Sequence, residues 1–216
     1  MKLLVAVSAL LALASAAKNG LDFNIAAPVS TFTCFKNNGY SFVIPRVYRS
    51  LGAVDATGVN NVKNARAAGL TDVDGYLFPC PKSTCPSAAN QVKASLDALK
   101  AAGTHVNTLW LDIERLNWPA DHASNRKFIE AMVAEAKTYG QTVGIYTNYY
   151  NWQEIVGLDY HAQSGLSLWW TAFNGSKDFS KFAPFGGWTK PAIHQWEELK
   201  SGGPCGIGGV DMNYIP

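Results

Sequence analysis

Residues 108–114 read TLWLDIE, an apolar, β-rich run that contains two acids, Asp112 and Glu114. A carboxylate among apolar side chains is costly unless it is paired, hydrogen-bonded or used in chemistry. Because side chains at i and i+2 of a strand share a face, Trp110, Asp112 and Glu114 point one way, and the intervening Leu and Ile residues pack on the other side. The run therefore predicts a buried strand that ends in a functional carboxyl pair.

Seven further runs of this kind bring the number of candidate strands to eight. The eight candidate strands cover residues 21–24, 42–48, 73–78, 108–114, 142–148, 167–173, 192–196 and 209–213. Three segments between them carry apolar residues at helical spacing, and a glycine follows each. These segments cover residues 59–68, 92–99 and 128–136.

Alternating strands and helices favour parallel βαβ units, and eight strands favour an α/β fold of the (β/α)8-barrel type. The barrel is predicted to be irregular and to lack helices in its C-terminal third. Residues 174–191 are loop-like, and EELKSGGPCGIGG (197–209) separates the last two strands. Such barrels typically take about 250 residues, so missing helices fit this shorter chain.

The first 17 residues combine Lys2, an apolar run and a cluster of small residues ending at Ala17. This pattern is typical of a secretory signal peptide. A membrane anchor is the alternative, but the run is shorter than the roughly 20 apolar residues that a spanning helix needs. We expect residues 18–216 to form a single domain that is secreted, or delivered to a lysosome or phagosome through the secretory pathway.

Charge and composition exclude some partners and favour others. The chain has 18 basic and 16 acidic side chains, with no basic run, so nothing points to nucleic acid. Aromatic residues make up 12% of the chain and include seven Trp. Trp and Tyr faces suit a sugar-binding cleft, although most of these rings will be core.

The four cysteines, Cys34, Cys80, Cys85 and Cys205, allow three disulfide pairings in an oxidising compartment. A zinc site is the alternative, but the spacing matches no common ligand pattern. Cys34 follows the first strand and Cys205 precedes the last, and these strands become neighbours when a barrel closes. Because Cys80 and Cys85 lie in one loop, we predict Cys34–Cys205 and Cys80–Cys85.

Polar and aromatic side chains gather at the predicted carboxyl ends of the strands, where barrels of this type place their active sites. They are Asp22, Arg46, Tyr48, Tyr76, Phe78, Asp112, Glu114, Tyr146, Asn148, Trp169, Trp170, Gln195, Trp196 and Asp211. An isolated Asp-x-Glu is more often a solvent-exposed strand end, but matching acids at Asp22 and Asp211 favour a site. Paired carboxyl groups suit glycosidic bond hydrolysis. A metal site built from the same acids is a further reading, although no Asp-rich calcium loop is present.

The ordered motifs of the chain resemble glycoside hydrolase family 25, and within it the short secreted lysozymes of nematodes and amoebae. The motifs are GLDFN, FVIPRVYRS, AGLTDVDGYLFP, LWLDIE, VGIYTNYYNW, LWWTAFN, HQWEE and GGVDMNYI. The resemblance implies a barrel with an irregular closing segment. It also implies hydrolysis of the β-1,4 bond between N-acetylmuramic acid and N-acetylglucosamine in peptidoglycan.

The same resemblance implies Glu114 as the catalytic acid, with Asp112, Asp22 and Asp211 as its partner acids. Substrate-binding residues are predicted at Arg46, Tyr76, Tyr146, Asn148, Trp170 and Gln195, of which Tyr146 and Gln195 follow from the family. The N-acetyl group of the substrate can itself attack the anomeric carbon, with Asp112 orienting it, which predicts net retention. No cofactor or metal is expected, and peptidoglycan is the expected partner of a monomer.

Two alternatives remain open. A catalytically silent carbohydrate-binding protein could use the same barrel, because fold does not determine function. Such relatives usually lose an acid, whereas all four are present here. A chitinase uses a related barrel, but the Asp-rich motif usual in chitinases is absent.

Overall fold

The described part of the chain, residues 17–216 of a computed structural model, is built on a closed barrel of eight strands. The predicted signal peptide lies outside the described residues, apart from Ala17. The strands are β1 (Lys18–Phe23), β2 (Tyr40–Arg49), β3 (Ala53–Val54), β4 (Asp72–Val73), β5 (Gly75–Leu77), β6 (Thr108–Asp112), β7 (Thr142–Thr147), β8 (Ser167–Thr171), β9 (Ile193–Leu199) and β10 (Val210–Ile215). The barrel order is β1-β10-β9-β8-β7-β6-β5-β2, closed by pairing of β2 with β1, while the short strands β3 and β4 pair with β2.

Five helices lie outside the barrel. They are α1 (Val29–Asn37), α2 (Ala56–Ala67), α3 (Ala88–Ala101), α4 (His122–Thr138) and α5 (Tyr149–Ile155). The predicted α/β barrel is thus confirmed, and so are the missing helices toward its C-terminal end, because no α-helix of the described residues follows β8 or β9. Within the described residues, only a 3₁₀ turn, Pro204–Gly206, follows α5.

The sequence analysis did not predict helices α1 and α5, and the reason differs between them. Helix α1 reads VSTFTCFKN, which is rich in β-branched and aromatic residues of low helix propensity. It is held by burial of Phe32 and Phe35 against the barrel. Helix α5 has seven residues, too few to show a helical period.

The prediction that all strands are parallel is wrong for one strand. Strand β10 is antiparallel to both β1 and β9, whereas all other barrel pairs are parallel. A parallel connection needs a crossover of a dozen or more residues. Only residues 200–209 separate β9 from β10, so the chain reverses. The amino end of β10 therefore reaches the mouth of the barrel, and Asp211 pairs directly with Asp22.

The interior of the barrel is a separate aromatic core. Its residues are Phe42, Ile44, Tyr76, Trp110, Tyr146, Trp169 and Ile193. Leu109, Leu111 and Ile113 pack in the layer between barrel and helices, which confirms the two faces predicted for residues 108–114. The Trp110 ring lies over Gly144 of the adjacent strand, where any Cβ would collide with it.

Both predicted disulfides are present. Cys34–Cys205 joins α1 to the turn before β10 over a separation of 171 residues, and Cys80–Cys85 closes the loop after β5. None of the helices in residues 17–216 combines the length and the apolar character that a membrane span requires.

Candidate active site

Five carboxyl groups line one cleft of about 260 Å³ at the mouth of the barrel. Asp22 lies on β1, Asp112 is the last residue of β6, Glu114 lies two residues beyond it, and Asp211 is the second residue of β10. Glu198 of β9 lines the same cleft. The structure thus brings together all four acids that the sequence analysis selected.

The chain keeps its strand path beyond β6, and this aligns Glu114 with Asp112. The Ile113 N–H donates to the Tyr146 carbonyl (2.8 Å), and the Thr147 hydroxyl donates to the Ile113 carbonyl (2.7 Å). Ile113 is fully buried in the outer layer. Because Asp112 and Glu114, on either side of Ile113, face the opposite way from it, both carboxyl groups project into the cleft.

The Gln195 side chain joins two of the acids. Its Nε2 donates to Asp22 Oδ1 (2.9 Å) and to Asp211 Oδ2 (3.0 Å). Its Oε1 accepts from the Tyr146 hydroxyl (2.8 Å) and from the Thr171 hydroxyl (2.7 Å). With four partners, Gln195 is held rigidly, and it positions the two carboxyl groups across the β9–β10–β1 side of the barrel.

Asn213 completes this network and was missed in the sequence. Its Nδ2 donates to Asp22 Oδ1 (2.7 Å), and its Oδ1 accepts from Trp169 Nε1 (2.7 Å). Asn213 and Thr171 each lie two residues along a strand from a residue that was selected, Asp211 and Trp169 respectively. The two-residue period of a strand was therefore the available signal.

Aromatic rings form the floor and walls beside the acids. Tyr76, Tyr146 and Trp169 all line the cleft. The Trp169 ring centroid lies 4.6 Å from that of Tyr146 and 6.1 Å from that of Tyr76. Such apolar walls exclude water and weaken the hydration of nearby carboxylates.

The same cleft also contains a cation. Arg46 of β2 lines the cleft, and its Nε lies 2.8 Å from Asp55 Oδ2. Asp55 is buried and also caps α2, because its side chain accepts from the Gly58 N–H. Burial and the neighbouring carboxylates raise the pKa of Asp112, and the positive charge of Arg46 partly offsets this rise.

Burial of the clustered acids raises their pKa values. For Asp112 and Asp22, burial raises the pKa well above the usual carboxyl range, and neighbouring carboxylates raise it further. Burial likewise raises the pKa of Glu114. Burial, with the charges of Glu198 and Glu114, raises the pKa of Asp211 to about 7. Burial therefore favours the protonated forms of these acids, and a general acid has to be protonated.

One acceptor in the cleft is unused. Asp112 is 4% exposed, and its Oδ1 has no hydrogen-bond partner among residues 17–216. A buried carboxyl oxygen without a donor is costly, and at a functional site this marks a place where a ligand donor can bind.

Two residues predicted to bind substrate lie outside this cleft. Trp170 points into the outer layer, where it stacks on His194 with ring centroids 4.1 Å apart. The inward position belongs to Trp169, since adjacent residues of a strand face opposite sides. The Asn148 side chain caps α5 by accepting from the Asn151 N–H (2.9 Å).

The raised pKa of Asp211 predicts how stability depends on pH. A carboxyl with a higher pKa in the folded than in the unfolded state stabilises the fold fully below about pH 4, and that stability is lost as pH rises to the folded pKa. For Asp211 this window runs from about pH 4 to about 7. We expect Asp211→Asn to lose less stability than the parent protein across this window.

Urea unfolding at several pH values, with the unfolding free energy compared between the two proteins, measures this effect. An unchanged pH slope in Asp211→Asn would contradict it.

Comparison with known proteins finds lysozymes. A family model described as "Lysozyme-like protein 1" matches residues 14–196. Lysozyme-like protein 5 of Caenorhabditis elegans is 75% identical over 94% of this chain and 93% of its own length. Probable GH family 25 lysozyme 2 of Dictyostelium discoideum is 39% identical over 99% of this chain and 98% of its own. The structure of a family GH25 lysozyme from Aspergillus fumigatus, 21% identical, shares the fold with a TM-score of 0.67, over 93% of this chain and 94% of that one.

Proposed function

Because this chain belongs to the glycoside hydrolase family 25 lysozymes and is a glycoside hydrolase, we propose that it is a muramidase that cleaves peptidoglycan. The bond is the β-1,4 link from N-acetylmuramic acid to N-acetylglucosamine. The observation that carries this proposal is the pair Asp112 and Glu114 within a cluster of four carboxyl groups, of which Asp22 and Asp112 are buried. Such a pair, with one member protonated, is what glycosidic hydrolysis needs.

Glu114 is the general acid in this mechanism. Burial raises its pKa and so favours the protonated form, and it gives that proton to the leaving O4 oxygen of N-acetylglucosamine as the C1–O4 bond breaks. The carbonyl oxygen of the substrate's own 2-acetamido group attacks C1 at the same time and forms a cyclic oxazolinium. Water then attacks C1, the Glu114 carboxylate takes its proton, and the acetamide is released. Two inversions at C1 give net retention.

Asp112 orients the acetamide. Its free Oδ1 is suited to accept the acetamide N–H, and its negative charge stabilises the positive charge that develops on the ring. Arg46 favours the ionised form of Asp112, and the incoming N–H favours it further. Asp22 and Asp211, held by Gln195, shape the charge around C1. Tyr76 and Tyr146 line the sugar subsite.

The first test is product analysis. Purified peptidoglycan is digested, the products are reduced with borohydride, and the reduced sugar is identified. Muramicitol is the expected new reducing end, in amounts that rise with time. Reduced glucosamine would overturn the bond assignment, cleavage of chitin oligomers in preference to cell walls would favour a chitinase, and binding without new ends would favour a silent lectin.

Retention gives a second prediction. We expect the first-formed reducing sugar to be the β-anomer, because two displacements at C1 restore the starting configuration. Proton NMR during the first minutes of digestion distinguishes the anomers before they equilibrate. An initial α-anomer would exclude retention, and a trapped sugar ester on any Asp would exclude attack by the acetamide.

The family and the two disulfides, which suit an oxidising compartment, support a location reached through the secretory pathway. In this proposal residues 1–17 are a cleaved signal peptide, and residues 18–216 act as one monomeric catalytic domain. The enzyme is secreted or delivered to a lysosome or phagosome, and its action on bacteria is bacteriolytic.

A further inference from the structure

A second depression, of about 500 Å³, lies beside the cleft between α5 and the segment that joins β8 to β9. Its main lining residues are Asn148, Tyr149, Tyr150, Trp170, Lys181 and Phe185. The two depressions meet at the carboxyl end of β8, because Thr171 and Ala172 line this groove while Phe173 lines the catalytic cleft.

The groove is lined by the segment between β8 and β9, which contains no helix. Aromatic side chains of this segment and of β8 pack together: the Phe182 ring lies 5.4 Å from the Trp170 ring and 5.9 Å from the Phe185 ring, centroid to centroid. Tyr149 of α5 lies 6.2 Å from Phe185 on the opposite side. The groove therefore has a firm base of packed rings.

Its exposed surface combines aromatic faces with a cation. Tyr150 is 68% exposed and Tyr149 37%, so both rings are accessible to a ligand. Lys181 is exposed, and no carboxylate of residues 17–216 forms a salt bridge with it. An uncommitted ammonium beside accessible rings is suited to a ligand that carries both apolar groups and a carboxylate.

We propose that this groove binds the peptide that peptidoglycan carries on its muramic acid, with Lys181 pairing with a peptide carboxylate and the tyrosines contacting its aliphatic portions. The inference rests on the proposed function. The peptide is attached through the lactyl group at C3 of the sugar, next to the C2 acetamide that Asp112 is proposed to hold. A few residues of extended peptide, at about 3.3–3.6 Å each, suffice to leave the cleft and enter a neighbouring groove.

Charge favours this path for the peptide. The cleft itself contains five acids, and its Arg46 is engaged by Asp55. A peptide carboxylate therefore meets no uncommitted cation in the cleft, whereas the adjoining groove has Lys181 and no acid among its lining residues. A bare sugar chain has no peptide carboxylate for Lys181 to recognise.

The test pairs two enzymes with two substrates. Lys181→Gln is assayed on intact peptidoglycan and on the same glycan after an amidase has removed its peptides. We expect kcat/KM to fall about threefold to tenfold on the intact substrate and to stay unchanged on the stripped glycan, as for the loss of one partly exposed charged contact. Lys190→Gln is the matched control, since Lys190 is an exposed lysine of the same segment that does not line the groove.

Tyr150→Ala changes the α5 side of the groove and is assayed on the same two substrates. Its kcat/KM should fall on intact peptidoglycan and stay unchanged on the stripped glycan. Equal losses on both substrates would mean that the groove holds the glycan and would overturn the proposal, as would unchanged rates on both. These failures are distinct from failure of the muramidase proposal, in which the parent enzyme releases muramic acid ends from neither substrate.

Discussion

Replacing Glu114 by Gln is expected to lower kcat by about 10²–10⁴-fold, the usual contribution of general acid–base catalysis. The amide has nearly the same size but carries no proton that it can transfer to the leaving oxygen. Glu114 is only partly buried, so the change should leave the fold intact. Initial rates of muramic acid end release, together with binding to insoluble cell walls, separate lost chemistry from lost affinity.

Glu198→Gln is the matched control, because Glu198 is an acid of the same cleft to which we assign no chemical step. It should retain activity within a few-fold of the parent. If Glu114→Gln kept most of its activity, or lost no more than Glu198→Gln, Glu114 would not be the proton donor.

Removing the Cys34–Cys205 disulfide should produce the largest loss of stability. The bond closes a loop of 171 residues, and chain entropy predicts a contribution of about 5 kcal/mol to the free energy of unfolding. It also anchors α1 and the turn that precedes β10, on which Asp211 depends. The Cys34→Ala, Cys205→Ala double variant is therefore expected to unfold at much lower urea concentration.

The Cys80–Cys85 bond provides the control within the same chain. It spans five residues, for which the same entropy argument gives about 2 kcal/mol. Urea unfolding of the two double variants should thus rank them clearly. Equal losses would show that strain or residual structure in the unfolded state, and not loop length, determines what these bonds contribute.

Local patterns in the sequence were sufficient for much of the site. The alternation in residues 108–114 placed Asp112 and Glu114 on one face, because the side-chain period of a strand is a property of the backbone alone. The count of alternating elements indicated the barrel, and barrel closure then predicted which cysteines would meet. Confirmation of both disulfides supports that reasoning.

Other features depended on contacts that no local pattern carries. In SLWWT two tryptophans are adjacent, so the alternation of polar and apolar residues could not show which one faces the barrel interior. The register of β8 with β7 and β9 places Trp169 in the interior. Nothing near Asn213 in the sequence shows that its side chain donates a hydrogen bond to Asp22, which lies 191 positions away.

The direction of β10 was likewise decided by barrel closure. Residues 200–209 are too few for a crossover helix, and the last strand had to fill the gap between β9 and β1. The sequence by itself determined the fold class, the acid pair and the cysteine partners, because these follow from short-range periodicity and chain order. Only the tertiary structure decided strand direction, the inward tryptophan and the amide network around Asp22, because these depend on which distant segments become neighbours.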